Sequence, residues 1–393
     1  MRTSLPVLAR PALPRPLARR FDALQRDLRA LVGGFVGPRA PVVSPRDGRG
    51  WLRRIPRAEA QRRVLVVQGI DRLTKSAVQI RLADESGAQI SFHPGQFLTL
   101  CVTIDGVEHR RAYSLCSDPT RPGEVAVGVK KAGLVSGFLV DTLTVGATLG
   151  ALGPSGSYGV QLDAQARRTV VLVAGGSGIT PQLAIARGVL RVEPQSRVVL
   201  LYANRSVDEI MFAAQLDDLQ REFPERLVIR HVLEQAPEGF VGGGGRLGAT
   251  ELDRCPQDAE WFVCGPTGMT EAVVGLLAER GITRVHIERF TPPPRAQTAS
   301  LEPQPLLINL GGTRIATTVA PGQTLLEAGL AGGAALPYSC TLGGCGACRV
   351  KRVAGQVVLD APNCLTERER AEGDILACVA RPIGPVEIEV PRW

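Results

Sequence analysis

From Val64 onward the chain alternates apolar and polar positions with the period of a β-strand. Val78, Ile80 and Leu82 are separated by Gln79 and Arg81. Leu98, Leu100, Val102 and Ile104 are separated by Thr99, Cys101 and Thr103, and Val125, Val127 and Val129 repeat the pattern. The turn pairs Pro94-Gly95, Asp105-Gly106 and Pro122-Gly123 punctuate these runs. Short alternating strands spaced by such turns predict an all-β barrel that runs to about Gly159.

The rhythm then changes to strands alternating with helices. Residues 169–174 form an unbroken apolar strand that enters Gly175-Gly176-Ser177-Gly178-Ile179-Thr180-Pro181. A helix follows, with Pro181 in its first turn. Strands are predicted at 198–203, 227–233, 261–264 and 284–290, with helices at 208–222 and 267–280. This order predicts an open α/β sheet with nucleotide-binding character. Residues 291–305, rich in proline, read as an extended linker. After it, 306–310 and 313–319 form a hairpin about Gly311-Gly312, followed by a short helix at 324–330 and strands at 356–360 and 385–390. No internal repeat is present.

Ahead of the barrel, Leu17, Phe21, Leu24, Leu28, Leu31 and Val32 recur at helical spacing among Arg19, Arg20, Arg26 and Arg29. Such a basic amphipathic helix predicts contact with a membrane surface or an acidic partner. A helix packed on the chain's own core and an organellar transit peptide are the alternatives.

Composition changes the picture in two ways. At 393 residues and 44% apolar content the chain can bury two or three cores. Its net charge of +8 is unevenly placed: residues 1–63 carry fifteen Arg, no Lys and four acids, so residues 64–393 are net −3. A mildly acidic body with a basic extension is not a nucleic-acid-binding protein. No stretch approaches a transmembrane span and no secretory apolar region is evident. The nine cysteines show no disulfide framework, which fits a reducing, cytoplasmic setting, with the basic helix giving any peripheral contact with a membrane.

Four of those cysteines carry the candidate chemistry. Cys340-Thr-Leu-Gly-Gly-Cys345-Gly-Ala-Cys348 is followed by Cys378, the spacing of a plant-type 2Fe–2S site. Gly343, Gly344, Gly346 and Ala347 leave room for backbone N–H groups to approach a negatively charged cluster. A structural zinc site is the alternative, but zinc sites more often use paired C-x2-C knuckles, and only Cys345 and Cys348 form one. From about Leu306 the chain resembles a plant-type ferredoxin, a β-grasp domain.

Arg111-Ala112-Tyr113-Ser114 lies in the barrel, ahead of the glycine turn and the ferredoxin-like end. This order resembles the ferredoxin–NADP reductase superfamily, in the arrangement of oxygenase and phenylacetyl-CoA-type reductases, over residues 62–393. The resemblance implies an antiparallel β-barrel FAD domain at 61–162, an α/β nucleotide-binding domain at 163–290, the linker at 291–305, and a β-grasp 2Fe–2S ferredoxin domain at 306–393. Residues 1–60 form the basic extension outside it. It implies that Arg111 holds the flavin pyrophosphate, that Ala112 and Tyr113 lie along the flavin, and that Ser114 sits near the point of hydride arrival. Val129, Lys130, Gly133 and Ser136 match a second FAD stretch of the family, with one glycine and about one loop residue missing. Gly153-Pro-Ser-Gly156-Ser-Tyr158 resembles the turn that closes the barrel.

The same resemblance places Gly175, Gly176, Gly178, Thr180 and Pro181 on one side of the nicotinamide. Cys264, Gly265, Pro266 and Met269 lie on the other. The glycine turn suits a phosphate-bearing ligand on its own chemistry, since helix N-terminal amides point outward there. Thr180 and Cys264 would then flank the hydride path. Glu288 and Phe290 match the family's terminal Glu-x-Phe, which reaches back toward the flavin. Read alone, Cys264 is a buried strand-end thiol and Glu288 a strand-end acid. Arg205 and Ser206, after the second strand, tilt the donor toward NADPH over NADH, and Asp208 and Glu209 close behind them make that tilt slight.

The implied function is electron transfer from NAD(P)H through FAD and the 2Fe–2S cluster to an acceptor protein. Whole-chain similarity extends to reductases that serve membrane fatty-acyl desaturases. An oxygenase, a cytochrome P450 or a hybrid-cluster protein would use the same reductase. A free-flavin reductase and a redox-sensing interaction module are the alternatives.

Overall fold

The computed structural model describes residues 62–290 and 300–390, apart from residues 122, 124, 157, 339, 345, 362 and 366. The expected helix within residues 1–60, most of the expected linker and Cys345 lie outside these. Among the described residues no helix is long and apolar enough to cross a membrane.

Six strands form the first sheet: β1 (Arg63–Thr74), β2 (Ala77–Asp84), β3 (Phe97–Ile104), β4 (Val107–Ser114), β5 (Val125–Lys130) and β6 (Thr148–Ser155). They run in the order β4-β3-β6-β1-β2-β5, every pair antiparallel. A bridge between Leu115 and Val127 draws the two edges together into a barrel. Alternate residues of β2, β3 and β5 enter one apolar core with Leu65, Ile90 and Leu139, the last from α1 (Leu134–Asp141). Asp105 and Gly106, at φ 50° and 77°, make the two-residue turn between β3 and β4.

The second sheet is parallel throughout, in the order β10-β9-β8-β7-β11-β12. Its strands are β7 (Thr169–Gly175), β8 (Arg197–Asn204), β9 (Leu227–Leu233), β10 (Gly243–Gly244), β11 (Glu260–Cys264) and β12 (Val285–Glu288). Helices α2 (Ile179–Val192) and α3 (Ala213–Glu222) cover one face, and α4 (Ala249–Asp253) and α5 (Thr267–Glu279) the other. The helix expected over 208–222 is shorter than its periodicity. Phe212 adopts φ 61° and is buried, and Tyr202 Oη accepts from the Met211 amide, so regular helix begins only at Ala213.

The barrel and this domain share a core. Ala77, Cys116 and Ala126 of the barrel pack with Ile179, Leu183 and Ala186 of α2. Arg187 of α2 donates to the Cys116 carbonyl (2.6 Å) and to Gln215 Oε1 (2.8 Å), and Gln215 donates to Gln79 Oε1 (2.6 Å).

The third sheet runs β14-β13-β19-β15-β17, with β16 and β18 paired apart from it. These strands are β13 (Gln304–Leu310), β14 (Thr313–Val319), β15 (Arg349–Ala354), β16 (Val357–Leu359), β17 (Asp374–Leu376), β18 (Ala380–Pro382) and β19 (Val386–Val390). Helix α6 (Leu325–Ala331) is started by a capping box: Thr324 Oγ1 accepts from the Glu327 amide, and Glu327 Oε2 accepts from the Thr324 amide. A short helix, α7 (Glu367–Ala371), lies between β16 and β17. The strand expected at 356–360 pairs with β18 rather than joining the main sheet, and β13 starts inside the stretch read as linker.

Candidate functional site

The α/β sheet reverses its winding between β7 and β11, and ligands bind such sheets at the carboxyl ends of strands beside that switch. Both glycine-bearing loops lie there. The loop after β7 carries Gly175, Gly176, Gly178, Thr180 and Pro181, and the loop after β11 carries Cys264, Gly265, Pro266 and Met269. They touch. A Cβ on Gly178 would lie 2.1 Å from the Cys264 carbonyl oxygen, and one on Gly175 would lie 2.7 Å from Met269 Sδ. Only glycine permits this approach of two backbones.

Thr180 is buried and donates to the Ser177 carbonyl (2.9 Å). A Cβ on Gly128 of β5 would lie 2.4 Å from Thr180 Cγ2, so the nucleotide turn abuts the barrel wall. Gln182, which sequence reasoning missed, donates to Tyr158 Oη (2.8 Å) and to the carbonyls of Val173 and Phe262. It ties the turn that closes the barrel to two strands of the neighbouring sheet. No periodic signal marks it, because it is one more buried position of α2.

Arg111, Ala112, Tyr113 and Ser114 end β4. Arg111 is exposed, and its Nη1 donates to the Arg110 carbonyl (2.8 Å). Tyr113 is half-buried beside the barrel core, and burial pushes its phenol up to about 12. Ser114 is buried and donates to Glu288 Oε2 (3.3 Å). Burial pushes the Glu288 carboxyl up to about 8, and the Cys340 sulfur adds to that when charged. Cys264 stands opposite Glu288 in the β11–β12 register, and its thiol is raised first by burial and then by Glu288. Barrel and α/β sheet therefore meet around Ser114, Cys264 and Glu288, and Arg110 of the same strand donates to the carbonyl of Tyr338 (3.2 Å), which starts the cysteine loop.

Other expected residues lie around this point in different ways. Val129 is wholly buried in the barrel core, so its side chain is taken up by packing. Lys130 Nζ pairs with Glu209 Oε2 (2.7 Å), and Glu209 Oε1 lies 3.8 Å from Arg205. Glu209 thus joins two expected cofactor residues as well as sitting near Arg205 in sequence. Ser136 Oγ accepts from the amides of Ala132 and Gly133 (2.9 and 3.0 Å), closing their loop at the start of α1. Ser206 is half-buried beside Arg205, and Phe290 is 40% exposed beyond the end of β12.

Cys340, Cys348 and Cys378 are buried. Cys348 and Cys378 interact directly, and that contact together with burial holds the Cys348 thiol well above its ordinary value. Iron ligation is the chemistry that stabilises thiolate in such a place. The Leu342 amide points at Cys340 Sγ (3.4 Å). Gly343 lies at φ 76°, a left-handed conformation that favours glycine, with Asn363 and Val379 packed close against its Cα. Among the described residues no three ligand side chains form a single-ion site. A two-iron cluster takes two thiolates on each iron, and Cys348 with Cys378 supplies one such pair. The residues present fit the cluster. Cys364 also faces this loop, its amide donating to the Gly343 carbonyl (2.9 Å).

Comparison with known proteins agrees with this geometry. Residues 65–159 match the family described as "Oxidoreductase FAD-binding domain", residues 172–275 "Oxidoreductase NAD-binding domain", and residues 308–382 "2Fe-2S iron-sulfur cluster binding domain". The chain is 33% identical over 338 residues to one of the subunits of the 1,2-phenylacetyl-CoA epoxidase of Escherichia coli, covering 81% of this chain and 94% of that protein. It is 34% identical to the "3-ketosteroid-9-alpha-monooxygenase, ferredoxin reductase component" of Mycolicibacterium smegmatis, covering 77% and 87%. Among solved structures, an intact type IV self-sufficient cytochrome P450 monooxygenase superposes with a TM-score of 0.64 at 28% identity. That match covers 84% of this chain, which spans 41% of the larger protein.

Proposed function

Because this chain belongs to the family of oxygenase reductase components with FAD-, NAD- and 2Fe–2S-binding domains in that order, we propose a residue-level path for its electrons. The observation that carries it is the contact of Ser114 with Glu288, opposite Cys264, on the same strand whose Arg110 meets Tyr338 two residues before Cys340. When bound, FAD would supply a two-electron hydride acceptor and the 2Fe–2S cluster a one-electron carrier. The balance is NAD(P)H plus two oxidised acceptors giving NAD(P)+, one proton and two reduced acceptors.

The residues divide the remaining work. The exposed Arg111 guanidinium offers a fork for the flavin pyrophosphate, Tyr113 offers a ring face, and Ser114 is held toward the nicotinamide side by Glu288. The apposed loops of Gly175 to Pro181 and Cys264 to Met269 grip the nucleotide and exclude water from the hydride path. Cys340, Cys345, Cys348 and Cys378 hold the cluster. Arg205 and Ser206 receive the 2′-phosphate of NADPH in preference to the free ribose of NADH.

The acceptor is an oxygenase-type protein. Within that class the arginine-rich residues 1–63 favour a membrane-associated one, such as a fatty-acyl desaturase, docked through the basic extension. Deleting residues 1–60 should then lower acceptor turnover and vesicle recruitment while leaving ferricyanide reduction alone. If neither falls, the docking reading is wrong.

The central test is anaerobic titration with NADPH and, separately, NADH, followed by visible absorption and electron paramagnetic resonance. Flavin bleaching together with a reduced-cluster signal, faster with NADPH, is the expected result. Bleaching without that signal would remove the cluster from the path.

A further inference from the structure

Strand β4 faces two ways. Its side chains alternate, so Arg111 and Tyr113 point to one side while Arg110, Ala112 and Ser114 point to the other. On that second side Arg110 reaches the ferredoxin domain. Its Nη1 donates to the Tyr338 carbonyl (3.2 Å), and its guanidinium carbon lies 4.3 Å from the Tyr338 ring centroid. Its Nε is held from behind by Glu108 Oε1 (2.9 Å), and Glu108 Oε2 is paired with Arg62 (2.7 Å). The guanidinium is therefore fixed by a carboxylate on one edge and by a ring and a carbonyl on the other. Lysine, a point charge on a flexible stem, lacks the planar fork that lies over a ring while donating along its edges.

The place of this contact gives it a role. Tyr338 precedes Cys340 by two residues. Ser114, on the same side of β4 as Arg110, bonds Glu288, which feels the charge of Cys340. Among the described residues the ferredoxin domain's apolar core draws only on residues 306–390, so there no shared apolar core carries this junction. The geometry points to Arg110 as a positioning residue: stacked on Tyr338, it latches the cluster loop against the strand that carries Arg111, Tyr113 and Ser114. This inference rests on the reading that those residues face FAD. The latch fixes the separation across which electrons leave the flavin site and takes no part in hydride transfer.

The test uses the full-length protein loaded with FAD and iron, comparing the parent with Arg110→Ala, Arg110→Lys, Tyr338→Leu and the double variant Arg110→Ala/Tyr338→Leu. Stopped-flow absorption follows flavin bleaching and cluster reduction separately, and hydrogen exchange follows the amides of residues 107–111 and 338–342. Flavin bleaching by nucleotide is expected to be unchanged. Cluster reduction should slow by up to about tenfold in each alanine or leucine variant, the size of effect that loss of a half-buried cation–π contact gives. Amide exchange should quicken in both segments. Arg110→Lys should fall between parent and Arg110→Ala, and the double variant should be no slower than Arg110→Ala, which already removes both the ring stack and the bond to the carbonyl of residue 338. Unchanged cluster reduction and exchange in both single variants, or multiplied effects in the double variant, would overturn the latch. Failure of flavin bleaching in the parent would overturn the flavin reading instead, and the exchange contrast would still decide the latch.

Discussion

The barrel meets its two neighbours by different means. Against the α/β sheet it shares an apolar core through Ala77, Cys116 and Ala126, and the chain Cys116–Arg187–Gln215–Gln79 crosses the junction. Against the ferredoxin domain it presents Arg110 to Tyr338, with no common apolar core among the described residues. A core of mutually buried residues behaves as one body, whereas a polar contact can open and close at modest cost. The difference matches the chemistry. Hydride transfer needs donor and acceptor atoms in van der Waals contact, so barrel and nucleotide domain are fused. Single electrons cross longer gaps, and a domain that must also meet an outside acceptor gains from a releasable contact.

The largest effect that would sharpen this contrast comes from Cys378→Ser. Losing a ligand on the output side should remove the reduced-cluster resonance and the one-electron output together. Nucleotide-driven flavin bleaching should persist, since the fused pair does not depend on the cluster. Loss of bleaching as well would show that the two junctions are not independent.

Next comes Gly178→Ala. The new methyl would lie 2.1 Å from the Cys264 carbonyl, where only backbone can give way. The two loops must then part, and stability should fall by about 1–3 kcal/mol, as overpacking in a tight site does. Flavin bleaching should slow while cluster reduction by dithionite stays normal. Arg187→Leu attacks the same junction from its core side. It strips a hydrogen bond from the Cys116 carbonyl and leaves Gln215 half-satisfied, a loss of about 1–3 kcal/mol in urea unfolding. A single unfolding transition that shifts as a whole is expected for a fused pair. A separate early transition of the barrel would break the comparison.

The fused half was far more legible in the sequence than the latch. Strands β2, β3 and β5 alternate cleanly because one face of each enters a closed core. Strand β9 begins and ends where its apolar run does. Strand β4, Val-Glu-His-Arg-Arg-Ala-Tyr-Ser, has no such alternation. It is an edge strand whose side chains, Tyr113 apart, stay out of the barrel core and are mostly exposed or half-buried, so β-periodicity passes over it. The 2Fe–2S domain, matched over residues 308–382, was readable because such a domain fixes the spacing of its cysteines along the chain. Arg110 and Tyr338 are 228 residues apart and Lys130 and Glu209 are 79 apart, and no local pattern joins them. The first turn of the helix expected from residue 208 was lost to Phe212, whose burial in a left-handed conformation is a tertiary demand that overrides helical spacing.

The smallest effect lies at the wet rim of the fused junction, where Glu209 joins Lys130 of the barrel to Arg205 of the nucleotide domain. Its carboxyl is held below the ordinary range, first by the hydrogen bond from Lys130. A carboxylate whose folded pKa is depressed adds stability that is fully present above its unfolded value of 4.5 and is lost as pH falls through the folded value. Both partners are about a third exposed, so Glu209→Gln should cost only about 0.2–1 kcal/mol near neutral pH, less in high salt, and nothing in strong acid. The same substitution frees Arg205 from its competing carboxylate. Selectivity, read as the ratio of kcat/KM for NADPH to that for NADH, should then rise by a few-fold, the return on one exposed ion pair. An unchanged ratio would leave Arg205 without a part in nucleotide choice, and a stability loss well above that range would mean that the rim, and not only the core beneath it, fuses the two domains.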